Sequence, residues 1–183
     1  MIFHEKSIKS EPIFDGKILS VRVDTVAMPD GRTATREIVD HSGGVCVVPI
    51  TENNEVIMVR QFRKPLEAAI LEIPAGKLNK GEDHYECGVR ELEEETGYKS
   101  NNIIYLGHIF STPGFANETI HIYLATELYK GEANLDLDEY LVVEKIPLDT
   151  VVDMIMNNEI NDSKTVVGIL KAREWQSHNR PTS

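Results

Sequence analysis

Three glutamates, Glu91, Glu94 and Glu95, crowd one short stretch of this chain, with Glu82 and Arg90 nearby. Carboxylates gathered on one side of a helix repel each other unless something positive lies between them. A hard divalent cation such as Mg²⁺ or Mn²⁺ takes oxygen ligands of this kind. The spacing is specific. Residues 76–98 run G-x5-E-x7-R-E-U-x-E-E-x-G-U, with U a bulky apolar residue, through Gly76, Glu82, Arg90, Glu91, Leu92, Glu94, Glu95, Gly97 and Tyr98. A lone E-x-x-E would be weak, but glycines, arginine and glutamates all in register are strong. Glu93, outside the fixed positions, is read as part of a solvated acidic face.

Other stretches have chemistry of their own. Arg63 ends an apolar run, and a guanidinium binds phosphate oxygens in bidentate fashion. Ser111-Thr112-Pro113-Gly114 begins a loop that ends at Asn117-Glu118. An acidic stretch, Asn134-Leu135-Asp136-Leu137-Asp138-Glu139-Tyr140, follows further on. His84, His108 and His121 are scattered without zinc-site spacing. Trp175 reads as a core or dimer contact.

The glutamates need a helix to hold them, predicted over 83–96. Asp83 can cap its start, with Glu86 three residues on, and Gly97 suits a left-handed cap at its end. At about 100° per residue, Tyr85, Gly88, Val89 and Thr96 gather around Leu92 as the buried face. Glu91, Glu94 and Glu95 then spread over one flank. Gly88 in mid-helix costs about 1 kcal/mol against Ala, which close packing on a strand would offset.

Strands are predicted at 17–28 and 33–40, joined by a turn at Pro29-Asp30-Gly31, and they form an N-terminal β unit over 1–42. Two strands alone are marginal in water, so the unit packs on the main domain or on a second subunit. The main domain, 43–183, is predicted to have strands at 44–50, 56–62, 70–73, 103–110, 119–126 and 140–146. Two helices follow at 149–157 and 163–177. This order implies an α+β fold or an α/β/α sandwich with a mixed sheet.

The chain has 183 residues, 41% of them hydrophobic, which suits one domain with a short extension. A net charge of −11 argues against nucleic acid or an anionic membrane as partner. The two cysteines, Cys46 and Cys87, read as buried thiols of a reducing compartment. No signal-peptide core or membrane-length apolar run is present, so a cytoplasmic protein is expected.

The 76–98 pattern resembles the signature of the Nudix hydrolases, which split a diphosphate linked to another group. The resemblance implies metal ligation by Glu91, Glu94 and Glu95 and by the main-chain carbonyl of Ala75, with Glu82 a ligand through water or an orienter. Arg90 would fix a neighbouring glutamate by ion pairing. A proline sixteen residues after Gly97, within S-x-P-G-x-x-x-E, is similar to the ADP-ribose pyrophosphatases of this superfamily. That likeness implies substrate contacts at Arg63, Pro113, Gly114 and Glu118, and the base at Glu139 with Asp138 second. It also implies a homodimer with exchanged N-terminal units, through which Arg36, with Arg32 beside it, reaches the partner's substrate. The strand at 17–28 has no aromatic residue to stack on adenine, a departure from the family habit. The implied reaction is Mg²⁺-dependent hydrolysis of ADP-ribose, with Mn²⁺ as a possible substitute, to AMP and ribose 5-phosphate. A sugar nucleotide, a dinucleotide polyphosphate or a sensing role without catalysis remain alternatives.

Overall fold

The computed structural model describes residues 3–134 and 140–179. It divides into two compact units. The first comprises Met1–Gly43 with Phe110–Thr119. Its strands β1 (Lys6–Asp15), β2 (Leu19–Ala27) and β3 (Thr33–His41) form an antiparallel sheet in that order. The β2–β3 turn closes where Pro29-Asp30-Gly31 predicts it. Gly31 has φ +85° there, and Met28 N donates to Arg32 O at 2.8 Å. The sequence reading missed β1. Its residues are exposed throughout, Pro12 lies within it, and two register shifts break its pairing with β2. These are habits of an edge strand, which gives little alternation to read.

The second unit comprises Gly44–Ile109 and Ile120–Ser183. It begins with β4 (Gly44–Pro49), β5 (Glu55–Arg63), β6 (Ala68–Glu72) and β7 (Ala75–Lys77), followed by helix α1 (His84–Thr96). Strands β8 (Tyr98–Phe110), β9 (Thr119–Lys130) and β10 (Leu141–Pro147) come next, then helices α2 (Leu148–Met156) and α3 (Ser163–Asn179). One sheet has the order β7-β4-β9-β8, with β4 and β9 parallel and β7 antiparallel to β4. A second, antiparallel, has the order β10-β5-β6.

All six residues of β4 are buried, and the two-residue period of a strand sends alternate side chains to opposite faces. Cys46 and Val48 join Ile122 and Leu124 of β9 in a core with Ile73, Val151 and Ile169. Val45 and Val47 join Tyr123 and Ala125 in a second core with Cys87 and Leu92 of α1. A central sheet with apolar cores on both faces is the α/β/α sandwich of an α+β fold. Two helical glycines permit the close approach. A Cβ on Gly88 would stand 3.1 Å from Val45 Cγ1, and one on Gly168 would stand 2.8 Å from Ile73 Cδ1.

The buried face of α1 is the predicted one only in part. Gly88, Leu92 and Thr96 are buried as expected and Val89 is half-buried, but Tyr85 is 48% exposed, and Cys87, Glu91 and Glu95 turn inward as well. Apolarity pulls the sequence reading toward Tyr85, whereas the site pulls two carboxylates inward. Strand β8 also starts at Tyr98, earlier than expected, because sheet pairing overrides the polar run after it. Trp175 packs on the larger core. Among the described residues no helix is long and apolar enough to cross a membrane.

Candidate active site

Asp83 caps α1 by accepting from Tyr85 N at 2.8 Å and Glu86 N at 3.4 Å. Gly97 closes the helix at φ +68°, where a side chain would be strained. Between the caps, Glu91 is 8% exposed and Glu95 only 2%. Buried carboxylates are costly unless paired or hydrogen-bonded, and here both find partners. Arg90 Nη1 donates to Glu91 Oε1 at 2.6 Å and to Glu94 Oε2 at 2.8 Å. Its Nε and Nη2 grip Glu82 at 2.9 Å and 3.2 Å. Arg90 beside Glu82 holds that carboxyl below its usual range. Three signature glutamates thus share one guanidinium.

The fourth, Glu95, points to the other end of the motif. Its Oε2 accepts from Ala75 N at 2.9 Å, which brings the Ala75 main chain to the helix. Gly76 has a sharper reason than the tight loop suggested by sequence. A Cβ there would overlap the Glu91 carboxylate. Only glycine leaves that carboxylate its place.

Arg63 does not stand alone. Its Nε and Nη2 meet Glu72 at 2.7 Å and 2.8 Å, and Lys164 Nζ also donates to this fully buried carboxylate. Lys164 reaches Asp162 at 3.0 Å, and Asp162 accepts from Thr165 N and Oγ1 at 3.0 Å and 2.7 Å. Thr165 Oγ1 in turn accepts from Ile73 N at 3.1 Å. The Glu72 hydrogen bond raises the Arg63 pKa against the opposing pull of burial, and the charges of Glu72, Glu95 and Asp162 add to it. Sequence reasoning missed Lys164 and Thr165. Contacts 92 residues apart leave no local pattern.

The first unit holds the other expected substrate residues. Arg36 Nε donates to Glu5 at 2.9 Å, and Arg32 pairs with Asp30. Pro113 and Gly114 lie at an exposed loop tip. The loop is tied to β3 by Val39 N donating to Phe115 O at 2.8 Å and Asn117 N to Val39 O at 3.2 Å. Asn117 Oδ1 accepts from His41 N at 2.9 Å, and Glu118 Oε1 lies 3.3 Å from His41 Nδ1. His41 carries no motif that would have marked it. Glu139 and Asp138 lie outside the described residues.

The donor set in α1 and β7 is oxygen only and anionic, the kind that hard divalent cations take. As the side chains stand, Glu82, Glu91 and Glu94 converge on Arg90. Among the described residues no three Asp, Glu, His or Cys side chains are grouped to hold an ion. The fit therefore lies in donor chemistry.

Known proteins resemble this chain over most of its length. A family model described as NUDIX domain matches residues 40–165, and one described as nucleoside diphosphate sugar hydrolase N-terminal domain matches residues 5–39. The chain is 48% identical to a methanol dehydrogenase activator of Bacillus methanolicus, over 97% of this chain and 98% of that one. It is 43% identical to an ADP-ribose pyrophosphatase of Bacillus subtilis (strain 168), over 90% of each. A solved structure of an ADP compounds hydrolase superposes with a TM-score of 0.88, covering 100% of this chain and 99% of that one at 22% identity. At that identity the superposition speaks for the fold.

Proposed function

This chain belongs to the Nudix family and is a Nudix diphosphatase, and from that premise we propose that it hydrolyses ADP-ribose to AMP and ribose 5-phosphate. The observation that carries the reading is the complete signature folded into one cluster. Arg90 gathers Glu82, Glu91 and Glu94, while Glu95 is seated beside Ala75. The likeness to the ADP-ribose pyrophosphatase of Bacillus subtilis supports the substrate.

The metal sites are Glu91, Glu94, Glu95 and the Ala75 carbonyl, with Glu82 at one remove. The cofactor is Mg²⁺, with Mn²⁺ able to replace it. When bound, the ions neutralise the diphosphate and make water a stronger acid. Arg90 and the Ala75 N–H orient the carboxylates. Arg63, steadied by Glu72, grips a phosphate oxygen. Glu139 accepts the proton of the attacking water. Water attacks one phosphorus, the bridging P–O bond breaks, and the other phosphate leaves.

Pro113, Gly114 and Glu118 belong to the substrate loop, and Arg36 acts across a homodimer whose N-terminal units, residues 1–42, are exchanged over the 43–183 hydrolase domains. Cys46 and Cys87 are both buried and unpaired, which supports a reducing cytoplasm.

A panel of ADP-ribose, sugar nucleotides and dinucleotide polyphosphates with Mg²⁺, scored by products, tests the reading. ADP-ribose should give the highest kcat/KM. A sugar nucleotide or dinucleotide polyphosphate preferred tenfold would replace it. The relative named as a methanol dehydrogenase activator favours a second reading, in which this chain raises the rate of such a dehydrogenase. Adding the chain to that enzyme decides it, since an unchanged rate rejects the second reading.

A further inference from the structure

Glu93 sits between the paired carboxylates of α1, outside the signature positions, and the sequence treats it as surface. The structure gives it company. Its Oε1 lies 3.0 Å from Lys99 Nζ and accepts from Glu132 N at 3.3 Å. Beside it, Gly131 N donates to Gly97 O at 2.9 Å and Asn134 N donates to Glu94 O at 3.2 Å. The last carbonyls of a helix find no partner inside it. Here the segment leaving β9 takes up the carbonyl of Glu94, whose own side chain is a proposed metal ligand. Gly131 presses so close that a Cβ would stand 2.8 Å from Glu93 Oε1 and 3.1 Å from Lys99 Cγ.

We propose that Glu93 is a positioning residue of the hydrolytic site. With Lys99 as its counter-ion, it fixes residues 131–134 against the last turn of α1. The hydrogen bond from Asn134 N to Glu94 O thereby holds the helix turn that carries Glu94 and Glu95 in a set place. The catalytic consequence rests on the reading above, in which those two glutamates hold the metal.

Magnitudes separate this from a merely structural role. The Glu93 side chain is 26% exposed and that of Lys99 40%, and an ion pair so placed contributes little to stability. A misplacement of about 1 Å in an active site, by contrast, can cost a hundredfold in rate. Turnover should respond where stability barely does.

The test combines kinetics with amide exchange on Glu93→Ala, Glu93→Gln, Gly131→Ala and the Glu93→Ala/Gly131→Ala pair. With ADP-ribose and Mg²⁺, Glu93→Ala should lower kcat about tenfold with KM within about twofold. Glu93→Gln keeps an acceptor for Glu132 N and should recover most of the loss. Gly131→Ala should slow the enzyme by crowding Glu93, and the double variant should be no slower than Glu93→Ala alone. Independently of any substrate, Glu93→Ala should speed exchange at both the Glu132 and Asn134 amides by about tenfold. A kcat within twofold of wild type in Glu93→Ala, losses that multiply in the double variant, or unchanged exchange at Asn134 would each overturn the proposal. A wild-type protein inactive on ADP-ribose would strike the proposed substrate instead, and the exchange experiment would still decide for or against Glu93.

Discussion

At the scale of single residues, Arg90 organises the site as much as the glutamates do. It meets Glu82, Glu91 and Glu94, so its loss leaves three carboxylates without a common partner. Removing a residue that orients metal ligands lowers metal affinity about 10- to 100-fold. Arg90→Ala should therefore raise the Mg²⁺ concentration for half-maximal activity by about tenfold or more, measured by metal titration of the rate. Arg90 and the glutamates were legible in the sequence because a helix repeats at fixed spacing, and the pattern records that spacing directly. The reason for Gly76 was not legible, since it depends on Glu91 folding back from fifteen residues away. The thiols make a second residue-scale prediction. Burial pushes both the Cys46 and Cys87 thiols up to about 12. Thiolate is then scarce at neutral pH, and alkylation should leave both unmodified until the protein is denatured, as read by mass spectrometry.

At the scale of elements, β4 and β9 divide their side chains between two cores, and α1 and α3 close on them over Gly88 and Gly168. Gly168→Val should cost about 1–3 kcal/mol of stability, because Ile73 and Val48 are both fully buried beneath it. Thermal or denaturant unfolding reads this directly. The start of α3 gives a pH-dependent case. Burial alone would raise the Asp162 pKa, but the Lys164 charge and the hydrogen bonds from Thr165 and Lys164 outweigh it and hold it below the usual carboxylate value. A depressed folded pKa stabilises above the unfolded value of about 3.9 and is lost as pH falls below it. Asp162→Asn should thus be less stable than wild type at pH 7, and the gap should narrow on acidification below about pH 4. Most strands of the second unit were readable from apolar runs between turns, but the three-residue β7 was not. The exposed edge strand β1 and the polar start of β8 were not, because pairing with neighbours rather than composition makes them strands.

At the scale of the whole molecule, a chain of net charge −11 must bind an anionic diphosphate. It needs local cations to reverse its own field, and Arg63 and the metal ions are proposed to supply them. The fold class and the reaction type were legible because one motif specifies both. The substrate was less so, because its residues lie in separate loops. Association was least legible, since it depends on surface that no periodicity marks. Ile8, Ile13 and Phe14 are each more than half exposed on β1, an apolar surface suited to burial in the proposed homodimer. Light scattering should give twice the chain mass of 20.6 kDa, and a monomer would remove Arg36 from the proposed site. The most direct test of the central claim is product analysis of ADP-ribose incubated with Mg²⁺ and either wild type or Glu95→Gln. The account predicts AMP and ribose 5-phosphate in equal amounts from wild type, and turnover lower by about two orders of magnitude or more in a folded Glu95→Gln protein. No AMP from wild type, or near-normal AMP from Glu95→Gln, would contradict it.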